Sequence, residues 1–277
     1  MVIEWNAHMF ARDMTRYPTH ARATYVPDAS MLRADPLTDY LDRMQQEGID
    51  GAVLVQPEPY GDDHRLLLDC LARAPERLRG AALFYPTDPD AANKLEALVQ
   101  REPRIMAVRF HAHRGKTTYL NHFTDPGVRR LWDRAAKMGL IVELHIGPDY
   151  AAQVAEVIHA YPDTPVLIDH LAEPHMGTAV EYAHVLTLAR LDNVIMKLSG
   201  LEHITAASEG QDLRPLLRLV VDTFGPDHLA WGGGAPGAIA DIVAHWPPSD
   251  RDKVLGGTLA RLLHLPSPDS VKGGCPL

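Results

Sequence analysis

Cysteine is nearly absent from this chain, which has two in 277 residues, at Cys70 and Cys275. Two cysteines cannot form the disulfide framework that holds small secreted domains together. Cys70 lies in a stretch with helical spacing, so we expect its thiol to pack in the core. The cysteine content therefore favours a reducing compartment, and we predict a cytoplasmic protein.

Long hydrophobic runs and an excess of basic residues are also missing. The apolar runs are no longer than strands, so no membrane-spanning helix is expected, and the first residues lack the pattern of a signal peptide. With 27 Lys and Arg against 36 Asp and Glu, the formal net charge is −9. An acidic chain without basic patches argues against nucleic acid as a partner. We therefore expect a globular protein that acts on a small molecule.

The chain instead shows a regular alternation of strand-like runs with stretches long enough for a helix. This alternation predicts an α/β fold, a single (β/α)8 TIM barrel over residues 1–265, with its active site at the carboxyl ends of the strands. Residues 266–277 are rich in Pro, Gly and Ser and are expected to form a flexible tail. The eight runs end at or near His8, Gln56, Tyr85, His111, His145, His170, Ser199 and Gly234.

The segments between the runs carry ordinary helix and loop signals. Residues 11–35 lack periodicity, and we expect them to form a long loop over the barrel mouth. The segment PLTDYLDRMQQEG predicts a helix that ends at Gly48. Asp-Pro pairs beginning at Asp88 and Asp125 each predict a helix start, with the aspartate as cap and the proline in the first turn.

Three histidines end three different runs, at His8, His145 and His170. Three imidazoles can hold one divalent metal ion, zinc or manganese, and leave a position for water. Without a metal, the same cluster would act through hydrogen bonds and acid–base chemistry, and the sequence leaves both possibilities open. Glu143 is either a fourth ligand or an ion-pair partner inside the barrel. Asp169 should point away from His170, toward the surrounding helices.

Arg109 and His111 alternate along the fourth run and should therefore face the same side. A guanidinium there can bind a substrate carboxylate through two hydrogen bonds, which predicts an anionic substrate. The alternative is an ion pair between Arg109 and Glu143 inside the barrel. His113, Arg114 and Lys116 follow and would add positive charge to the mouth. Further candidates for substrate contact follow the second run, at Gln56, Tyr60 and His64.

Several motifs resemble those of the amidohydrolase superfamily. They are VLIDHLAEP around His170, NVIMKLSG around Lys197, DHLAWGGGAP near the end, the shorter NAHMF and HIGP, and the closing GGTLARLLHL. The resemblance covers almost the whole chain and points to the amidohydrolase-related branch, which contains lactonases and nonoxidative decarboxylases. It implies an amidohydrolase-like barrel. Lys197 would then pack against carboxylates inside it.

The chain departs from that family pattern at two positions. The usual His-x-His of the first strand is Asn6-Ala7-His8 here, so Asn6 becomes a candidate substrate contact instead of a ligand. The usual aspartate after the last strand is Gly234, and glycine can neither bind a metal nor move a proton. Glu173 and His170 therefore become the candidates for general base. The run Gly232–Gly234 predicts a wider pocket beside the last strand.

These residues together predict a hydrolase that opens a small lactone bearing a carboxylate or hydroxyl groups. His8, His145 and His170 would polarise the carbonyl, and Glu173 or a histidine would activate water. One alternative is a nonoxidative decarboxylase of an unsaturated or aromatic acid. Another is a catalytically degenerate barrel that binds a metabolite or a protein partner. Assembly into a homo-oligomer is left open.

Overall fold

The computed structural model describes residues 1–112, 119–208 and 211–265. Eight strands pair in parallel in the order of the chain, which confirms the predicted (β/α)8 barrel. His113, Arg114, Lys116 and the predicted tail 266–277 with Cys275 lie outside the described residues. The strands are β1 (Ile3–Ala7), β2 (Gly51–Val55), β3 (Leu78–Leu83), β4 (Ile105–His111), β5 (Ile141–His145), β6 (Val166–Ile168), β7 (Val194–Leu198) and β8 (Leu229–Trp231).

Helices connect successive strands and cover the outside of the barrel. The expected end of the first helix at Gly48 is confirmed, and its φ of 67° is the left-handed conformation that glycine adopts without strain. The α-helices are α1 (Pro36–Glu47), α2 (Arg65–Arg73), α3 (Ala91–Arg101), α4 (Pro126–Lys137), α5 (Ala151–Ala160), α6 (Ala179–Thr187), α7 (Leu201–Ala207), α8 (Arg214–Phe224), α9 (Pro236–Ile242), α10 (Pro248–Asp252) and α11 (Thr258–Leu262).

The two Asp-Pro pairs do not behave alike. α4 begins at Pro126, directly after Asp125, so the predicted start is confirmed, but the Asp125 carboxylate accepts from the backbone N–H of His122 at 3.2 Å instead of capping the first turn. α3 begins only at Ala91, so the predicted start after Asp88 is wrong. The Asp88 carboxylate accepts a hydrogen bond from the backbone N–H of Asp90 at 2.9 Å. This local contact forms a turn that delays the helix.

The inside of the barrel changes from apolar to charged along the strand direction. Alternate residues of the strands face inward, and Ala107, Ile141, Leu167 and Ile195 belong to one buried apolar cluster. Two residues further along each of these four strands, the inward-facing position carries an ionisable side chain. The carboxyl end of the barrel is therefore polar, and these groups are Arg109, Glu143, Asp169 and Lys197.

The long first loop packs against the loop after β2. Arg12 donates its backbone N–H to Arg33 at 2.8 Å, which closes the loop on itself, and His20 donates to Pro59 at 2.7 Å. Tyr25 reaches the cavity at the barrel mouth. This placement agrees with the expected position over the mouth.

Two predictions from composition can be compared with the fold. The Cys70 side chain is buried in α2, and burial raises the pKa of its thiol to about 12. Its predicted role in core packing is confirmed. Within the described ranges, every helix is too short or too polar to span a lipid bilayer.

His64, just before α2, shows how a buried histidine couples this fold to pH. Its Nε2 accepts a hydrogen bond from the backbone N–H of Leu83 at 3.2 Å, so the ring proton is on Nδ1 and the ring is neutral. Burial lowers the pKa of His64 to about 4. The unfolded chain binds a proton on this ring below about pH 6.5. The free energy of unfolding should therefore fall as the pH drops from that value through the folded pKa.

His64→Gln should remove this part of the acid sensitivity, because the glutamine carbonyl can still accept from Leu83 but does not titrate. Between about pH 7 and pH 4.5, we expect the wild type to lose about 2.5 kcal/mol more stability than the variant. Urea denaturation at a series of pH values measures this difference. His159→Gln, at an exposed position in α5, should keep the wild-type slope. Equal slopes for wild type and His64→Gln would contradict the coupling.

Candidate active site

A cavity of about 270 Å³ opens at the carboxyl end of the barrel. This mouth cavity collects residues from seven loops or strand ends, as expected for the catalytic face of this fold. It contains the three histidines of the predicted cluster together with five residues that the sequence did not single out. Its lining consists of Asn6, His8, Tyr25, Pro57, Glu58, Arg109, His111, His145, His170, Glu173, Gly200 and His203.

Four buried ionisable side chains lie beneath the cavity and neutralise one another. The Lys197 ammonium lies 2.9 Å from Glu143 Oε1 and 2.6 Å from Asp169 Oδ1. The Arg109 guanidinium donates to Asp169 Oδ2 from Nε at 3.0 Å and from Nη2 at 2.5 Å. These contacts confirm the ion-pair roles expected for Lys197 and Glu143. We call Arg109, Glu143, Asp169 and Lys197 the buried quartet.

The protonation of the quartet follows from its geometry. Burial alone would raise the pKa of Asp169, but Lys197 and Arg109 hold it well below the usual range. Burial raises the pKa of Glu143, and the neighbouring Asp169 charge adds to that effect. The Glu143 carboxylate therefore depends on Lys197 to stay ionised, since the negative charges of Glu143 and Asp169 repel each other.

The expectation that Asp169 points toward the helices is wrong. β6 ends at Ile168, and Asp169 continues the inward alternation that begins at Leu167. From His170 onward the chain leaves the extended conformation, so alternation counted back from His170 gives the wrong face. Four consecutive residues have positive φ: His170 (49°), Leu171 (56°), Ala172 (57°) and Glu173 (48°).

This left-handed turn stores strain at the site. Left-handed backbone costs roughly 1–2 kcal/mol for each non-glycine residue, and strained backbone is retained where the surroundings enforce it. The turn places the His170 ring and the Glu173 carboxylate on the same cavity, although both follow the strand.

Ala172→Gly should be nearly neutral for stability, because relief of the left-handed strain offsets the lost methyl burial of about 0.8 kcal/mol. Ala135→Gly is the matched control, since Ala135 is equally buried but lies in the right-handed helix α4. In that helix the lower helix propensity of glycine and the lost methyl burial both destabilise the fold, and we expect the free energy of unfolding to fall by about 1.5–2 kcal/mol. Urea denaturation compares the two variants. An equal loss in both would contradict the strain at Ala172.

The Glu173 carboxylate is the centre of a histidine cluster. It is fully buried, and its Oε1 lies 2.8 Å from His145 Nε2 while its Oε2 lies 2.8 Å from His203 Nε2. His175 Nδ1 lies 3.7 Å from Oε2. A carboxylate can only accept, so His145 and His203 donate from Nε2.

Arg109 fixes the tautomer of His145 independently. Its Nη2 lies 2.9 Å from His145 Nδ1, and a guanidinium can only donate. The lone pair of His145 is therefore on Nδ1 and its proton on Nε2, facing Glu173. His111 Nε2 lies 3.1 Å from the same Nδ1. His145 thus links the buried quartet to Glu173.

His8 and His170 are neutral rings with fixed partners. His8 Nδ1 donates to the backbone oxygen of Val55 at 2.9 Å, which leaves the lone pair on Nε2. His170 Nδ1 lies 2.8 Å from the Ser199 hydroxyl. Burial, with the charge of Arg109 next, lowers the pKa of His8 to about 4, and burial lowers the pKa of His170 to about 3. Both rings therefore stay uncharged near neutral pH.

Of the predicted substrate-binding residues, Arg109 and His111 line the mouth cavity and are almost fully buried. Arg109 forms an ion pair inside the barrel, as the alternative expectation held, but its nearest partner is Asp169 at 2.5 Å, with Glu143 at 3.7 Å. Gln56 Nε2 donates to the backbone oxygens of Gly61 at 3.0 Å and Asp63 at 2.9 Å. The structure therefore places Gln56 in the support of the loop after β2.

Tyr60 supports the same region, because its hydroxyl accepts from the backbone N–H of Ala11 at 3.0 Å. The described lining of the mouth cavity contains neither Gln56 nor Tyr60. Both residues hold the first two loops in place, and contact of either with substrate stays a prediction.

The two departures from the family pattern differ in their surroundings. Asn6 lines the cavity, at an irregularity in the pairing of β1 with β2. A Cβ at Gly234 would meet nothing within 4 Å, although φ there is 87°. A Cβ at Gly232, by contrast, would lie 2.8 Å from Ser199 Cβ. Only part of the glycine run therefore leaves open space.

The described residues contain two groups of possible metal ligands, and within each group the ligand atoms lie within 4.8 Å of one another. One is His145, Asp169 and His170, and the other is Glu173, His175 and His203. The structure brings His145 and His170 together, as the sequence predicted, but with Asp169 as the third member. His8 belongs to neither group.

The first group does not fit a divalent cation well. Both Asp169 oxygens already contact cations, Lys197 at 2.6 Å and Arg109 at 2.5 Å. Arg109 also donates to the lone pair of His145 Nδ1. A metal ion there would have to displace these contacts or lie beside two positive charges in a buried site.

Sequence reasoning missed four polar or ionisable residues of the cavity and of the Glu173 cluster. Glu58 follows β2 by three residues, and a closer reading of strand ends could have found it. His175 directly follows the motif VLIDHLAEP, but nothing marked it as functional. Tyr25 lies in an aperiodic loop and His203 in α7, where one histidine among ordinary helical residues gives no signal. Tertiary structure alone brings Tyr25 and His203 to the cavity.

A barrel with ionisable residues at its carboxyl end defines an enzyme-like site. The chain belongs to the amidohydrolase family: the model for that family, described as amidohydrolase, matches residues 3–265. The 4-sulfomuconolactone hydrolase of Rhizobium radiobacter is 25% identical over 93% of this chain and 89% of that protein. The L-fucono-1,5-lactonase of Burkholderia ambifaria is 26% identical over 73% of this chain and 70% of that protein. The predicted class, a hydrolase of this superfamily, is confirmed.

Solved structures show the same fold. A probable 2-pyrone-4,6-dicarboxylic acid hydrolase from Acinetobacter baumannii gives a TM-score of 0.77 at 21% identity, covering 95% of this chain and 99% of that one. An amidohydrolase from Burkholderia multivorans with bound zinc gives 0.70 at 18% identity, covering 96% and 100%. A dihydroxybenzoic acid decarboxylase from Polaromonas with bound manganese gives 0.65 at 17% identity, covering 98% of each chain. Divalent metals therefore occur in proteins of this fold.

Proposed function

We propose that this protein hydrolyses a small lactone, and that Glu173 and His203 activate the attacking water. The observation that carries the proposal is the buried Glu173 carboxylate, which holds His145 on one oxygen and His203 on the other, each at 2.8 Å. A buried carboxylate that orients an imidazole at a cavity is the arrangement of a general-base pair. The lactone hydrolases among its relatives support the same reaction class.

The protonation of His203 determines its role. Its Nε2 donates to Glu173, so the neutral ring carries its lone pair on Nδ1. About half of its side chain is exposed, at 53%, which gives water access. His203 Nδ1 takes one proton as the water oxygen attacks the lactone carbonyl, and Glu173 stabilises the imidazolium. When the ring C–O bond breaks, His203 returns the proton to the leaving oxygen, and the product is a hydroxy acid.

His170 supplies the hydrogen bond to the carbonyl oxygen. In this scheme the buried Ser199 hydroxyl, 2.8 Å from His170 Nδ1, donates to that nitrogen, which puts the ring proton of His170 on Nε2. Burial keeps the ring neutral by lowering its pKa to about 3. An N–H directed at the developing oxyanion stabilises the transition state more than the ground state. The lone pair of His8 Nε2 accepts from the attacking water or from a substrate hydroxyl.

This scheme needs no metal, because Glu173 and His203 move the proton themselves. The ligand group around Asp169 is in addition already neutralised by Lys197 and Arg109. We expect dialysis against a chelator to leave kcat within about twofold of the untreated value, as for acid–base catalysis alone. Metal analysis of the dialysed protein gives the necessary control. A loss of activity that added zinc or manganese restores would contradict the metal-free scheme and support the metal reading of the histidines.

A panel of lactones, assayed by acid release with a pH indicator, tests the function. Turnover of at least one lactone, abolished in His203→Asn, is the expected result. Release of carbon dioxide from unsaturated or aromatic acids would instead favour the decarboxylase alternative. Ligand binding without turnover on either panel would favour the degenerate barrel. The predicted cytoplasmic location and homo-oligomer stay predictions.

A further inference from the structure

The wall of the mouth cavity that β1 and the loop after β2 form carries two buried oxygen atoms with no hydrogen-bond partner among the described residues. They are Oδ1 of Asn6 and Oε2 of Glu58, and both residues line the cavity. The Glu58 side chain is 3% exposed. Buried acceptors in native structures are normally satisfied. An unsatisfied pair on one cavity wall therefore indicates what a ligand must bring.

The position of Glu58 is built rather than accidental. Its Oε1 accepts from the backbone N–H of Thr24 at 2.8 Å, so the carboxylate is held by one oxygen while the other remains available. The Tyr119 phenol packs against the same residue, with its hydroxyl 3.5 Å from the Glu58 backbone oxygen. Glu58 begins a short 3-10 turn that ends before Gly61. A Cβ at Gly61 would lie 2.5 Å from the Tyr85 hydroxyl, so this turn is tightly packed.

Both free oxygens can only accept hydrogen bonds, because one belongs to an amide carbonyl and the other to a carboxylate. Hydroxyl groups on a ligand would satisfy them, whereas a ligand carboxylate would meet a second acceptor and, at Glu58, a like charge. The cation expected to anchor an anionic substrate, Arg109, is already paired with Asp169 at 2.5 Å. The described wall therefore favours a neutral ligand.

We propose that the substrate is a neutral lactone with at least two hydroxyl groups, of the aldonolactone class, and that Glu58 and Asn6 each accept a hydrogen bond from one of them. This inference rests on the proposed lactone hydrolysis. It replaces the anionic substrate that Arg109 suggested with a polyhydroxylated one. Glu58 is then a specificity-determining residue that contacts the substrate away from the reacting carbonyl.

A substrate panel gives the first test. Wild-type protein should show a kcat/KM at least about 10-fold higher for 1,5-aldonolactones than for lactones of similar size that carry a free carboxylate, since one charge-assisted hydrogen bond is gained and a like-charge contact avoided. A higher kcat/KM for the carboxylated lactones would overturn the inference and leave lactone hydrolysis intact.

Glu58→Gln, measured on a series of mono-deoxy aldonolactones, tests the contact itself. On the fully hydroxylated lactone we expect KM to rise about 10- to 100-fold with kcat little changed, because a hydrogen bond to a charged acceptor is lost. On the deoxy compound that lacks the contacting hydroxyl, wild type and variant should have the same KM. An equal penalty on every member of the series would overturn the contact. Glu202→Gln, at an exposed site, is the control.

Binding of aldonolactams tests the hydroxyl contact at Glu58 independently of lactone hydrolysis. In these compounds a ring amide replaces the ester, so they bind without being hydrolysed. Calorimetry should show that Glu58→Gln weakens lactam binding about 10-fold or more, even if no lactone is turned over. Lactam binding with no turnover would refute the proposed hydrolysis alone. Unchanged lactam binding in Glu58→Gln, or tighter binding of a carboxylated lactam, would refute the hydroxyl subsite.

Discussion

Replacement of Glu173 by glutamine should lower kcat by about 10³-fold with a much smaller change in KM. Glutamine keeps the size of the side chain but loses its negative charge. His203 then has no anion to stabilise its imidazolium while it holds the proton of the attacking water. One of the two Nε2–H groups now bonded to Glu173 would also face an amide N–H₂ group, which cannot accept.

The control for this experiment is Glu202→Gln, next to His203 on the exposed side of α7. It changes the net charge equally and should leave kcat within about twofold, since an exposed charge contributes little. A kcat within 10-fold of wild type, with a folded variant, would rule out the Glu173–His203 pair.

Lys197→Met should produce the largest loss of stability, about 3–5 kcal/mol in the free energy of unfolding. Lys197 is completely buried between Glu143 and Asp169. Its removal leaves two buried carboxylates with Arg109 as their only partner in the quartet. One of them must then be protonated or remain an uncompensated charge, and both outcomes are unfavourable.

The double variant Lys197→Met with Glu143→Gln separates charge balance from packing. It leaves one cation and one anion, Arg109 and Asp169, and should recover about half of the lost stability through coupling between neighbouring sites. Lys137→Met is the surface control, because the Lys137 side chain is 69% exposed and pairs with Asp133 one turn away in α4. We expect it to change stability by less than about 0.5 kcal/mol. Failure of the double variant to recover any stability would show that shape, not charge, matters at Lys197.

The catalytic and structural roles of the charged residues separate by depth in the barrel. The buried quartet occupies the inward layer directly above the apolar cluster and is neutral as a set. The Glu173 cluster lies one layer further out, on the turn after β6 and on α7. His145 connects the two through Arg109 on Nδ1 and Glu173 on Nε2. A change in the quartet should therefore reach the catalytic pair through the tautomer of a single ring.

The strand ends show how far local pattern can be read. The runs that end at His8, His111 and His145 put these three residues at the mouth cavity, as the alternation of strands and helices predicts. Alternation also places Arg109 and Glu143 inside the barrel. It failed for Asp169, because the residues from His170 to Glu173 adopt a left-handed turn that no residue type in HLAE announces.

The sequence by itself determined the barrel, the family and the end of the barrel that carries the site, because each depends on periodicity and motifs that are local in the chain. Only the tertiary structure decided which polar groups meet. Arg109 binds Asp169 across 60 residues, and Glu173 binds His203 across 30. Such contacts depend on the register between strands, on one strained turn and on the helix after β7. They are set by the packing of the whole barrel, which no local pattern of residues encodes.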